Sequence, residues 1–389
     1  MTIAKTDRTD VVIIGGGPIG LYLAIRLLQQ GISCTVLEKR SEIDPHSKSL
    51  GIHPVSLALF KEAGIEQPFL EDGLPIRNGH AFWDRRTLGT ISFAHCPPPF
   101  PFILALPQWR TEELLQEALL RLDPDALIRE ADVTDITQTD EEVTADYIRR
   151  GYQHRLHASF AVGCDGKESV TRRQAGIAFP GHPYPDTYMM GDFDDHTAFG
   201  SDAAVYLHED GLVESFPLPN GQRRWVAKTD HYVREPNVYQ LAQLVQKRLG
   251  NAPDATTNRM LSSFGVQHHL ADTCHRGRML LAGDAAHIVS PIGGQGMNLG
   301  WLDAHAAAST IRAALDKPGQ YHALFRRYSA GQRGMAKQTA RRAEWNMHLG
   351  RRESHNALYK AVVLVMLTPP VSQITARVFT MYGLGRWWI

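Results

Sequence analysis

Only four of the 389 residues are cysteine, Cys34, Cys96, Cys164 and Cys274, and none forms a C-x-x-C pair. That spacing excludes a cysteine zinc site and a disulfide framework, and leaves free thiols in a reducing cytoplasm as the expectation. Excess charge of one sign is also missing, because 41 Lys and Arg balance 41 Asp and Glu. A chain without a basic excess gives no reason to expect a nucleic-acid partner. Long hydrophobic runs are absent too. The strongest, residues 361–367, falls far short of the ~20 residues that cross a bilayer. Residues 1–9 carry Lys5 and Arg8 but no apolar signal core, so a soluble, cytoplasmic protein with no transmembrane segment is expected. The 18 histidines show no H-E-x-x-H or comparable spacing, and no metal site is expected.

What remains is ordinary globular composition. Hydrophobic residues at 43% are enough for a sizeable core, and the length suits two or three domains of ~150 residues. Asp10 to Ile14 is a β-branched run fit for a strand buried on both faces. A glycine turn follows, then a helical pattern to Gln30 that stops at Gly31, then a second strand over Cys34 to Glu38. This is a βαβ unit. Helical spacing recurs at Ser56 to Ala63 and Thr111 to Leu122, and Leu127 to Glu130 and Ala158 to Val162 read as strands. Between Pro180 and Leu270, short alternating runs broken by Gly, Pro and Asn predict antiparallel sheet. Met279 to Ala282 returns to the buried-strand pattern, and helix dominates from Asn298 onward. The fold class expected is α/β: a discontinuous Rossmann-like domain (1–75, 105–180, 271–345), an inserted, mostly antiparallel sheet domain (76–104, 181–270) and a C-terminal helical segment (346–389).

Three segments carry chemistry. Gly15, Gly17 and Gly20 form G-x-G-x-x-G, with Pro18 and Ile19 between the last two, where a strand hands over to a helix. Such a turn lets the backbone approach a pyrophosphate, and the helix N-terminus supplies N–H groups and a positive dipole end. Glu38, 23 residues after Gly15, is placed to accept hydrogen bonds from a ribose diol, with Lys39 and Arg40 beside it. FAD and NAD both use this fingerprint. The second segment, Asp165-Gly166 through Ser169 to Arg172, is by itself an ordinary polar turn. In the third, a buried strand delivers Gly283 and Asp284 to a turn, and the glycine-rich loop Pro291-Ile292-Gly293-Gly294 leads through Gly296, Met297 and Asn298 into a helix. That arrangement suits a polyol at Asp284 and a partly anionic ring edge at the helix start.

Taken in order, GxGxxG, DGxxSxxR and GDAAH…PxGGQGMN resemble the class A flavoprotein monooxygenases, the p-hydroxybenzoate hydroxylase-like aromatic hydroxylases, over roughly residues 8–345. The resemblance implies one FAD, with NAD(P)H as a transient reductant and dioxygen as co-substrate. It implies hydroxylation of a small aromatic or polyketide-like compound through a flavin hydroperoxide, by a monomer or homodimer. Glu38 would hold the adenosine ribose, Asp284 the ribityl chain, and Pro291 to Asn298 the isoalloxazine. Arg110 would reach the FAD linker, and Asp165 would serve both FAD and nicotinamide. Lys48 stands where relatives often carry arginine, and lysine cannot reproduce a planar fork. There is no second GxGxxG, as a two-domain reductase needs, and no W-x-W-x-I-P motif, as a halogenase needs. An FAD-dependent reductase of isoprenoid or quinone-like compounds remains an alternative among enzymes, and a non-catalytic flavoprotein that sequesters a ligand the reading from another class.

Beyond the cofactor, the expected substrate pocket comprises Lys48, Tyr206, Phe216, Trp225, Pro291, Ile292 and Gly293, although each insert aromatic stands equally as core filler. His287 is expected to support its loop. Arg341 and Arg342 are read as a solvated face, and residues 385–389 are expected to dock on the body. From Pro183 through Gln222 there is no Lys or Arg, so the insert offers no guanidinium fork for a ring carboxylate, and a neutral or weakly acidic substrate is expected.

Overall fold

The computed structural model describes residues 8–45, 49–351 and 355–384. The apolar run after Thr9 forms the strand Arg8–Ile14, whose inner residues Val11, Val12 and Ile13 are fully buried. The chain turns at Gly15 and enters the helix Pro18–Gln29, with proline in the first turn, where its missing N–H has no intrahelical role. Cys34–Glu38 then pairs parallel with Arg8–Ile14.

Five parallel strands make the centre of the first sheet. Their spatial order is Leu127–Arg129, Cys34–Glu38, Arg8–Ile14, Tyr152–Gly163 and Met279–Leu281, which in chain order reads 3-2-1-4-5. The winding reverses between Arg8–Ile14 and Tyr152–Gly163, and ligands of doubly wound sheets lie outside the carboxyl ends at that switch point. Here Ile14 pairs with Gly163, so Gly15 and Asp165 emerge side by side. Helices Pro18–Gln29 and Gln295–Asp316 pack on each other over this sheet. Trp301, fully buried between them, donates its indole N–H to the Pro18 carbonyl at 3.0 Å.

The second sheet has eight strands, mostly antiparallel, drawn from 78–92 and 181–270 and closed at one edge by His287–Ile288. A helix, Val238–Leu249, lies within the stretch read from sequence as continuous sheet; it buries Leu241 and Val245 against one face of that sheet. Two further elements were not read from the sequence. The hairpin strands Asp132–Gln138 and Val143–Arg149 extend the first sheet through the unexpectedly long strand Tyr152–Gly163. The boundary expected at 345/346 falls inside one continuous helix, Tyr321–Leu349. Two short helices follow, Ala357–Leu367 and Val371–Phe379, separated by the Pro369-Pro370 break. Among the described residues no single helix is long and apolar enough to cross a membrane. Cys34, Cys96 and Cys274 are buried and Cys164 is half-buried, all four as free thiols.

Candidate functional site

A cavity of about 1570 Å³ runs from the carboxyl edge of the first sheet to the inner face of the second. Single small-molecule pockets span roughly 300–1,000 Å³, so this one has room for two ligands end to end.

At one end stands the glycine turn. Gly15 has φ +103°, and a Cβ there would lie 2.4 Å from the Cys164 carbonyl oxygen. At Gly20 a Cβ would lie 2.0 Å from the Gly15 carbonyl oxygen. Side chains at either position would push the turn off the strand end. A Cβ at Gly17 would meet nothing within 4 Å, and Gly17 faces the open cavity together with Pro18 and Ile19. Glu38 closes this end. One carboxylate oxygen accepts the Gly16 N–H at 2.7 Å, and the other accepts the Arg40 backbone N–H at 2.8 Å and its Nε at 2.9 Å. Burial alone would raise its pKa, but the Arg40 hydrogen bonds and charge and the Gly16 N–H outweigh it and hold it below the ordinary value. The oxygen that accepts only the Gly16 N–H keeps a lone pair for a ribose hydroxyl. Lys39 and Arg40 line the same wall.

In the middle, Asp165 and Asp284 face the cavity from neighbouring strand ends. One Asp165 oxygen accepts from the Thr171 N–H at 2.9 Å and its hydroxyl at 3.0 Å, while the other is buried without a partner. Asp284 is open to the cavity yet enclosed by protein, and that enclosure pushes its pKa up, against the pull of His287. Behind it a buried network fixes the turn. Asp303 accepts the Gly283 N–H at 2.9 Å, His287 Nε2 at 2.5 Å and Gln332 Nε2 at 3.0 Å. Gln332 and Asp303 lie too far along the chain from the motif for the sequence to have joined them to it.

Further along, Gly293 (φ +89°) and Gly294 (φ +67°) turn the chain into the helix Gln295–Asp316. Its first N–H groups have no intrahelical acceptor, and Gly296 and Met297 line the cavity there with Pro291, Ile292 and Gly293. Burial pushes the neighbouring His53 imidazole down to about 4, and its Nδ1 has no partner. Neither does the buried Gln295 Oε1. These unpartnered polar atoms, with the Gly17 opening and the enclosed Asp284, fit a long ligand carrying a diphosphate, a polyol and a polar ring edge.

Several expected positions lie elsewhere. Arg110 is not in the cavity wall; Asp72 at 2.6 Å, Glu113 at 2.8 Å and Glu117 at 3.3 Å hold its guanidinium outside. Asn298 is fully buried beneath the loop. Its amide oxygen accepts the His53 N–H and the Ser56 hydroxyl, and its amide nitrogen donates to the Gly51 and Gly294 carbonyls. Its side chain therefore shapes the loop, which leaves the expectation for its backbone N–H untouched. Side chains alternate across a strand, so Ala203, Val205 and Leu207 face the cavity while Tyr206 stacks on Phe82 behind the sheet at 4.5 Å. By the same alternation Glu214, Phe216, Arg224 and Val226 face in, whereas Trp225 packs with Leu241 and Val245 on the far side. Arg341 and Arg342 are not a purely solvated face: with Trp345 and Asn346 they line the cavity beside Val378 and Phe379. Lys48 and residues 385–389 lie outside the described residues.

This division gives a test. Trp225→Ala should lower stability by about 3–5 kcal/mol, read as a denaturant midpoint, because it empties a packed core position. Phe216→Ala, on the half-buried cavity face, should leave that midpoint nearly unchanged and alter binding of aromatic ligands instead. Equal midpoints for the two variants would contradict the assignment of faces.

A family model described as an FAD binding domain matches residues 8–343. The chain belongs to this FAD-binding family. Its cofactor is FAD, which the long cavity and its unpartnered polar atoms accommodate. The chain is 33% identical over 315 residues to an uncharacterized aromatic compound monooxygenase of Bacillus subtilis (strain 168), a match covering 79% of this chain and 62% of that protein. It is 32% identical over 321 residues to a rifampicin monooxygenase of Streptomyces venezuelae, covering 79% of this chain and 64% of that one. The chain thus spans less than two thirds of the length of these curated relatives. Among solved structures, the OxyS anhydrotetracycline hydroxylase of Streptomyces rimosus superposes with a TM-score of 0.80 at 28% identity, over 96% of this chain and 76% of that one. The fold is also that of p-nitrophenol 4-monooxygenase PnpA from Pseudomonas putida DLL-E4, at a TM-score of 0.87 and 23% identity over 96% and 98% of the two chains.

Proposed function

We propose that this FAD-binding chain is an NAD(P)H-dependent monooxygenase that hydroxylates a small, largely apolar aromatic or polyketide-like compound. The observation that carries this reading is the continuity of the cavity, which passes from Glu38 and Asp284 directly into a chamber walled by Met190, Val205, Phe216 and Val226. FAD, when bound, supplies the redox and dioxygen chemistry; the protein contributes orientation and a dry chamber. In this reading Glu38 fixes the adenosine end and Asp284 the polyol. The N–H groups that open the helix at Gln295 favour negative charge on the ring edge. Asp165 lies at the switch point, with one carboxylate oxygen unpartnered. The insert strands exclude water over the ring, and helices Ala357–Leu367 and Val371–Phe379 close the chamber with Val363, Leu367 and Phe379. The aromatic and polyketide monooxygenases among the relatives support the same reading.

The test is NADPH or NADH oxidation by the FAD-loaded protein under isotopically labelled dioxygen, with a panel of phenols and fused-ring hydroxyarenes. Label in an organic product, in proportion to reductant consumed, is the expected result. Peroxide as the sole oxygen product across the panel, or no reductant oxidation at all, would contradict it and favour a ligand-sequestering flavoprotein.

A further inference from the structure

Glu214 is the one acid among the aliphatic side chains at its level of the second sheet. Reading across the register, the residues at that level are Ala81, Val205, Glu214, Val226 and Met190, and all five face the cavity. The residue is only 7% exposed. Its carboxyl has no hydrogen-bond or ion-pair partner among the described residues. The cations nearest in the second sheet, and Arg351, are already committed, while Arg341 and Arg342 line another stretch of the cavity, beside Val378 and Phe379. Arg224, one register step away, holds Asp192 through two bonds of 2.6 and 2.8 Å. Lys228 and Arg351 both bind Asp186, at 3.1 and 2.7 Å. On the far face Arg223 is engaged by Asp195 at 2.8 Å. Tyr188, buried in the same cluster, leaves its hydroxyl unpartnered as well.

An unpartnered carboxyl in such surroundings is costly, and an aliphatic residue would be more stable there. Its presence is explained by a ligand that completes it. We propose that Glu214 is the recognition residue for a hydroxyl group on an otherwise apolar, uncharged aromatic substrate, and that it rejects aromatic carboxylates. The proposal rests on reading the chamber as the substrate site beside FAD. A hydroxyl donor needs one acceptor, which the carboxyl supplies. An ammonium needs three acceptors and a countercharge. Burial pushes the Glu214 carboxyl up to about 7, so a full countercharge is not standing ready. A substrate carboxylate would meet this acid with no free guanidinium on the same row.

The probes are 2-naphthol, 2-methoxynaphthalene, 2-naphthoate and 2-naphthylmethylamine, titrated into FAD-loaded protein and read as perturbation of the flavin absorbance. Wild type should bind 2-naphthol about tenfold more tightly than the methyl ether, as one hydrogen bond to a buried acceptor allows, and more tightly than the acid or the amine. Glu214→Leu, which keeps the volume and removes the acceptor, should abolish the preference for 2-naphthol over its ether. Glu214→Gln, which keeps one acceptor oxygen, should retain most of it. Equal affinities for naphthol and ether in wild type, an undiminished preference in Glu214→Leu, or tighter binding of the acid or amine would overturn the proposal while leaving the chamber as the aromatic site. No flavin perturbation by any of the four would overturn the chamber reading, and the proposal with it.

Discussion

Asp284→Ala should yield protein that loses its flavin on gel filtration. The carboxyl is open to the cavity and enclosed by protein, so removing it strips polyol hydroxyls of an acceptor in a site that water cannot readily replace. A hydrogen bond to a charged group contributes about 1.5–3 kcal/mol, which corresponds to a loss of roughly 10–100-fold in FAD affinity. Absorbance near the flavin band, divided by chain concentration, gives the occupancy directly, and titration with added FAD gives the affinity. Asp284→Asn should fall between wild type and Ala, because it keeps one acceptor oxygen. Normal occupancy in Asp284→Ala would show that the polyol lies elsewhere.

A second large effect is expected behind the cavity. Asp303→Ala removes the acceptor of the Gly283 N–H, of Gln332 and of the buried His287 together. Breaking one side of a buried pair costs about 3–5 kcal/mol, because the remaining group is stranded. The variant should express poorly or melt well below wild type, and its cofactor loss should follow from the displaced Gly283–Asp284 turn. His287 also sets a pH dependence. Burial alone would lower its pKa, yet the charge and hydrogen bond of Asp303 outweigh this and hold it above the ordinary value. A group raised on folding stabilises fully below its unfolded pKa of about 6.5, and that stabilisation fades as pH rises through the higher folded value. Wild-type Tm should therefore decline on the alkaline side of pH ~6.5 more steeply than in Asp303→Ala, where His287 has lost the partner that raises it. Parallel pH profiles would contradict the network.

The parts of this architecture that were legible in the sequence are those with one dominant local cause. The glycine turn, the two strands around it and the acid at Glu38 are all read within one βαβ unit, where period and turn chemistry agree. Faces of the second sheet were not legible, for a physical reason. The helix Val238–Leu249 covers one side and the cavity the other, so both faces are apolar and alternation does not mark which is which. Phe216 and Trp225 are equivalent in sequence and opposite in space. The helix itself carried signals that went unread, Asn237 as its cap and Gly250 as its stop. Arg110 is a different case. The family resemblance implied that it reaches the FAD linker, but Glu113 three residues on was a sufficient partner, and Asp72 could be supplied only by the fold. The Asp303 network and the solitary Glu214 also needed three dimensions. The first depends on groups distant in sequence that the fold brings together, the second on groups the fold leaves out, and a linear pattern reports neither.

The central claim is that one FAD spans the cavity from Glu38 to the helix start at Gly294, with its ring beside the Glu214 chamber. A crystal structure of the FAD-loaded chain tests it most directly. Adenosine ribose hydroxyls are expected within hydrogen-bond distance of Glu38, ribityl oxygens at Asp284, and the pyrimidine edge of the ring against the backbone of residues 294–297. Density for a reversed dinucleotide, or for a nicotinamide dinucleotide on the glycine turn with no flavin in the cavity, would contradict it.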